Sequence, residues 1–433
     1  VLSVKVGDVI RRFSLPLSIS RKKQPVEPFM AVLYAARHFM NKPCPDKLSE
    51  LRPLRTKRSL FVMALLLLSA CQSTGVTRAS FQGIELAARV PGEGQLVLAD
   101  IGGDHQADVL LMSRRPGRVY WLENPAWQLH QIPFMADELR AIAAHSLTDG
   151  SPAGLAVAGR FTVPGLGTRE QLMWLQNPGR DLTHSSWPAT EVRMDVAPDA
   201  LLWADLSGSG TRVLVASPEL EVYTPRTARM RAWTTMSLLL ESTPPISRLR
   251  AYDWDNDGRD ELLAAGPAGV DVIALASRGQ FVDEFLLLDA ADNGGYLDVA
   301  LGRVGPASQG ASMDFVATLG TSAPQLVVHR PVPEHISRWR QDIVSDSVPG
   351  ARVLHTADLN LDGIDEIIVG GDSGLFVFYF EAQSQSWQRF VLATSGVSDL
   401  QISDLNGNGF PDIVAAPAQP GALLLFQNRG RRT

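Results

Sequence analysis

One short segment, repeated along the chain, restricts its folding more than any other feature. In Asp358-Leu359-Asn360-Leu361-Asp362-Gly363-Ile364-Asp365-Glu366, acids or amides hold the first, third, fifth and ninth positions and glycine holds the sixth. Alternate side chains of a tight loop converge on one point, and the glycine permits the sharp turn, which is how oxygen ligands hold hard cations such as Ca²⁺. An EF-hand loop ends in a bidentate Glu at its twelfth position and leads into a helix. Here the last acid is ninth and the β-branched run Ile367-Ile368-Val369 follows, so the context is strand, loop, strand.

Two further copies are intact. One starts at Asp253, with Asp255, Asp257, Gly258 and Glu261 in register; the other starts at Asp404, with Asn406, Asn408, Gly409 and Asp412. Weaker copies begin at Asp100, with Asp104 and Asp108, and at Asp205. Two remnants are visible mainly by position, at 145–150 and 302–314. The starts lie roughly 45 to 60 residues apart, and a repeat of that length built from short strands specifies a propeller or an array.

Each unit reads as four strands. In the second unit they fall at 139–144, 154–158, 171–176 and 187–194, separated by turns such as Asn177-Pro178-Gly179. A tryptophan opens the last strand at Trp233, Trp339 and Trp387 and is assigned to packing between units. The first strands alternate. Leu96, Leu201, Leu249, Leu354 and Leu400 occupy one face, and Gln95, Arg140, Arg248, Arg250, His355, Asp399 and Gln401 the other, where they are expected to line a channel wall. The last unit stops one strand short, and a spare strand, 81–90, precedes the first. The expectation is an all-β fold over 81–428: a seven-bladed β-propeller of four-stranded blades, closed by an N-terminal strand that completes the last blade. Closure removes exposed sheet edges. Residues 429–433 read as a tail.

The leader is different in kind. Residues 1–70 carry a net charge of +9, leaving −15 for the remainder of a chain whose total is −6. A basic leader on an acidic body suits an exported, cation-binding protein and argues against nucleic-acid binding, which needs basic patches. Residues 1–51 show no pattern and read as an unstructured extension or a misassigned start. Over 52–70, Arg52, Arg55, Lys57 and Arg58 precede a short apolar run that ends in Leu68-Ser69-Ala70-Cys71. That run is too short to span a bilayer, which takes ~20 helical residues. The segment resembles the lipobox of bacterial lipoproteins. By that resemblance Cys71 is lipidated, 52–70 is a signal peptide removed before it, 71–80 is a tether, and the protein is anchored in the cell envelope. Gln72, where an Asp would mark inner-membrane retention, points to the outer membrane.

With loops, strand order and Trp-x-x-Asn-Pro segments in view, the region from about 81 to 428 resembles FG-GAP/VCBS repeat proteins, the propeller type of integrin α-subunits. The resemblance implies structural Ca²⁺ at about three sites: Asp253, Asp255, Asp257 and Glu261; Asp358, Asn360, Asp362 and Glu366; and Asp404, Asn406, Asn408 and Asp412. Carbonyls of Arg259, Ile364 and Phe410 would add one ligand each, and Asp100, Asp104 and Asp108 form a weaker set. The alternative for each loop is a turn held by its own side-chain hydrogen bonds.

No catalytic signature is present: the chain has neither His-Glu-x-x-His nor Gly-x-Ser-x-Gly. Gly371-Asp372-Ser373-Gly374 is expected to be a hairpin turn. Two function classes follow. The first is a non-catalytic, membrane-anchored propeller that binds a protein or a glycan; the second is a propeller enzyme, a polysaccharide lyase or a quinone-dependent dehydrogenase. Convergence of His, Arg and acids at the channel mouth would favour the enzyme.

Overall fold

Around each acidic loop the apolar–polar alternation becomes an antiparallel sheet in the computed structural model. The structure describes residues 77–432 apart from 92–93, 149, 164, 166, 211, 218–219, 227–232, 239–245, 255–256, 276–281, 290–293, 305–314, 322–324, 333–334 and 346–347. The leader, the signal segment and Cys71 lie outside the described residues. Strands β1 to β28, numbered in chain order, form seven four-stranded sheets, and no helix occurs among the described residues.

Each blade is a meander whose first strand is innermost. The inner strands are β2 (Gln95–Ala99), β6 (Glu138–His145), β10 (Ala200–Ala204), β14 (Arg248–Tyr252), β18 (Tyr296–Gly302), β22 (Ala351–Ala357) and β26 (Val397–Ser403). Each touches the next around the ring, and β26 touches β2, so the ring is closed. The seventh blade is composite. Its order is β1-β28-β27-β26, with β1 (Arg78–Val90) antiparallel to β28 (Gly421–Arg432). The predicted N-terminal strand therefore does complete the last blade, and it starts three residues earlier than the alternation in the sequence suggests; residues 429–432, read as a tail, continue β28 because Arg431 and Arg432 pair with the start of β1.

The core lies between blades. One apolar cluster sits at each of the seven blade boundaries. At the closing boundary Leu96, Val109 and Leu111 of the first blade meet Leu405, Val414 and Leu425 of the seventh. Fully burying one such side chain is worth about 1.5–3 kcal/mol, so each blade is stable mainly because two neighbours cover it. The tryptophans take the expected packing role. Trp174, Trp203 and Trp233 cluster at the boundary between blades two and three, with ring centroids 5.8 to 6.3 Å apart. His145 stacks on Trp203 at 4.7 Å, and burial together with Arg212 pushes its pKa down to about 4.

The inner strands run toward the acidic loops, which therefore share one face of the propeller. Residues 371–374 form the predicted tight hairpin between Glu366–Gly371 and Gly374–Glu381. There the Ser373 hydroxyl donates to the Pro349 carbonyl at 2.8 Å.

Candidate cation-binding loops and the channel wall

In the three intact loops the same atoms do the same work. The first-position aspartate accepts main-chain N–H bonds from the fifth and sixth residues. Asp358 takes those of Asp362 at 3.0 Å and Gly363 at 2.8 Å; Asp404 takes Asn408 at 3.1 Å and Gly409 at 2.7 Å; Asp253 takes Asp257 at 3.0 Å and Gly258 at 3.1 Å. The fifth-position side chain accepts from the seventh N–H: Asp362 from Ile364, Asn408 from Phe410, and Asp257 from Arg259. Asn360 and Asn406, in third position, accept from the fifth. The sixth residue is left-handed, with φ of 88° at Gly363 and 85° at Gly258 and Gly409, which only glycine adopts without steric cost. In the weaker loop His105 occupies that place at φ 67°, while Asp100 still accepts from Gly103, Asp104 and His105. Asp255 lies outside the described residues.

The ninth-position acid points inward. Glu366 accepts from Leu359 N at 2.8 Å, Asp412 from Leu405 N at 3.1 Å, Glu261 from Trp254 N at 2.7 Å, and Asp108 from Ile101 N at 2.9 Å. These bonds hold the second residue of the loop in place. The side chains of Ile101, Leu359 and Leu405 enter the apolar clusters at the boundaries with the following blades. Loop chemistry and blade packing thus meet at one residue.

The structure adds residues that the sequence reading did not single out. Asn428, fully buried, donates its side-chain amide to the carbonyl of Leu359 in the preceding blade at 2.7 Å and to that of Pro411 in its own loop at 3.1 Å. Its main-chain N–H goes to Asp412 at 2.6 Å. Asn124 repeats this on Leu405, Ala107 and Asp108, and Asn177 bonds Ile101 and Ala153. These are the asparagines of the Trp-x-x-Asn-Pro and Phe-Gln-Asn segments, so their recurrence was the available signal. Two other boundaries use the eighth loop position. Asp260 accepts from Asp205 N of the preceding blade at 2.8 Å, and Asp365 accepts from Arg303 N at 2.9 Å. Among the described residues, asparagine or aspartate thus bridges five of the blade boundaries on the loop face.

Charge distribution tests whether a cation suits these loops. Burial, with the neighbouring charges of Asp362, Asp358 and Asp365, pushes the Glu366 carboxyl up to about 9. Burial also raises Asp362, Asp412 and Asp108. Acids that raise one another are relieved by a divalent cation, and a donor set made wholly of oxygen suits Ca²⁺. Among the described residues no three His, Cys, Asp or Glu side chains converge tightly enough to hold a metal by themselves. The amide oxygens of Asn360, Asn406 and Asn408 and a main-chain carbonyl would have to complete the sets. On donor chemistry and charge the residues fit.

The polar residues of the inner strands do gather. Arg250 of β14 pairs with fully buried Asp298 of β18 at 2.9 Å, donates to the Leu354 carbonyl of β22 at 2.5 Å, and lies 3.4 Å from His355 Nε2. Asp298 also accepts from Leu354 N at 2.8 Å and Val299 N at 2.8 Å. Burial, then the charges of Arg250 and Arg248, hold His355 well below the usual imidazole pKa and keep it neutral. Asp399 of β26 accepts from Leu96 N of β2 at 2.7 Å, and Gln95 exchanges two hydrogen bonds with Ile142 of β6. Most of these contacts join one inner strand to the next, and those of Arg250 with Leu354 and His355 reach past β18 to β22. A guanidinium and a carboxylate paired with each other and with backbone partners form a ring fastening, and the His355 imidazole beside the guanidinium is uncharged near neutral pH.

No curated protein sequence matches the chain. A solved structure titled as the basis of specific recognition of non-reducing terminal N-acetylglucosamine by an Agrocybe aegerita lectin is similar at a TM-score of 0.47. It is 16% identical over 77% of this chain and 87% of that one. Residues 358–415 match the family model for an FG-GAP-like repeat, a span that contains two of the three intact loops, 358–366 and 404–412.

Proposed function

We propose that this chain is a non-catalytic binding propeller of the cell envelope, attached to a membrane by lipid on Cys71 and stiffened by Ca²⁺ in the loops at 253–261, 358–366 and 404–412. The observation that carries the reading is the use made of the polar residues. Those of the loop face and inner strands are spent on joining blade to blade, as in the bonds from Asn428 to Leu359, Asp260 to Asp205 and Arg250 to Asp298. A scaffold fastened in this way presents a ring of loops on one face, the arrangement that suits recognition of a protein or a glycan. The FG-GAP-like match at 358–415 agrees with an interaction module. Bound Ca²⁺ would neutralise the loop acids, with Asp358, Asn360, Asp362 and Glu366 as its holders in the best-formed loop.

The test is a crosslinking capture from the native envelope, read for proteins and glycans, beside a turnover screen of the purified propeller on acidic polysaccharides. A stoichiometric partner without turnover is the expected result. Release of unsaturated oligosaccharides, or electron transfer to a quinone, would replace the binding reading with an enzyme.

A further inference from the structure

The boundary between blades six and seven differs from the others. It carries the shared asparagine contact, from Asn428 to the Leu359 carbonyl at 2.7 Å. It also carries bonds from both strands that close the ring. Near the start of β1, the Thr77 carbonyl accepts from the Asn360 side chain at 2.9 Å, and Ala79 N donates to the Tyr379 hydroxyl at 3.3 Å. Near the end of β28, Arg431 donates its Nε to the Asn360 carbonyl at 2.5 Å and a terminal nitrogen to the Leu361 carbonyl. The far ends of β1 and β28, at Val90 and Gly421, are held by strand pairing and core packing.

We propose that the 358–366 loop is the catch on which the propeller is latched shut, so that a change in this loop releases β1 before it disturbs any other strand. Asn360 links the two roles. Its amide nitrogen reaches both Thr77 and Glu366, and its carbonyl oxygen takes the Asp362 N–H. A ligand that recruits the Asn360 oxygen and the Glu366 carboxylate fixes the group that grips the N-terminal strand. The latch stands on these contacts; its control by a cation rests on the reading given under Proposed function.

Hydrogen exchange on the full chain tests it, comparing the parent with Arg431→Gln and with the conservative Tyr379→Phe. Neither side chain is a candidate ligand. Each variant should speed exchange in Arg78–Val90 on the order of tenfold, as loss of one or two hydrogen bonds allows, while the strands of blades one to five keep their protection. Unchanged exchange in β1, or an equal rise in every blade, would overturn the latch. The parent is also measured in Ca²⁺ and in EDTA, with calorimetric Ca²⁺ titration alongside. Chelation that opens β1 first supports control by the cation. Chelation that loosens all blades alike refutes that control. If the titration shows no binding while the variants still open β1, the cation reading fails and the latch stands.

Discussion

Replacing Asn428 with alanine removes the contact that most directly ties a loop to the neighbouring blade. Its side chain, itself fully buried, donates at 2.7 Å and 3.1 Å to two carbonyls and accepts from Gly430 N at 3.0 Å, with only the Pro411 carbonyl partly exposed. Each bond contributes about 1 kcal/mol net, and partners left buried and unsatisfied cost about 1–3 kcal/mol each. The variant should therefore lose about 3–4 kcal/mol. A domain of ~350 residues has an unfolding entropy near 0.7 kcal/mol/K, so the melting temperature should fall by about 4–6 °C. Differential scanning calorimetry on residues 77–433 measures it, with Ser384→Ala, an exposed turn residue, as the control expected to stay within about 0.5 kcal/mol. An N428A protein melting within about 1 °C of the parent would refute the argument that asparagine contacts carry the blade boundaries.

Arg250→Met should cost up to about 3–5 kcal/mol in urea titrations, because it takes the closer cation from the buried Asp298 carboxylate and leaves only Arg248, 3.5 Å away; a loss under 1 kcal/mol would count against the ring fastening. His329 is fully buried, hydrogen-bonded to Thr318 at 2.9 Å, and pushed by burial to about 4. The unfolded state therefore takes up its proton first as pH falls. Stability is fully present above about 6.5 and drains away toward pH 4, by about 3 kcal/mol for this residue. His329→Gln should reduce that slope in pH-dependent melts, leaving the contributions of His145 and His355, whose pKa values burial also lowers. Ca²⁺ at a hundredfold excess over its dissociation constant should add about 2.7 kcal/mol per site, and an unchanged melt in EDTA would remove the metal from the account.

The blade count and strand order were legible because the acidic loop, the turn residues and the period-two alternation recur at one spacing. The truncated last unit and the spare strand before the first, taken together, forecast the composite seventh blade. The ring fastening was only half legible. Gln95, Arg250, His355 and Asp399 stood out as a polar face, but Asp298 did not, since it lies in the unit whose loop has eroded. Asp260 and Asp365 were passed over because they neighbour the ninth-position acids, and a single loop considered alone contains no sign of the blade before it.

The sequence by itself determined the local pieces: the order of strands and loops, where glycine must turn the loop, and which oxygens surround its centre. Those properties depend on residues a few positions apart, and spacing encodes them directly. Only the tertiary structure decided what the pieces hold together. Asn428 reaches Leu359 across 69 positions and Arg250 reaches Leu354 across 104. Contacts of that range exist only once the blades stand around a common centre, the first joining neighbouring blades and the second reaching past blade five.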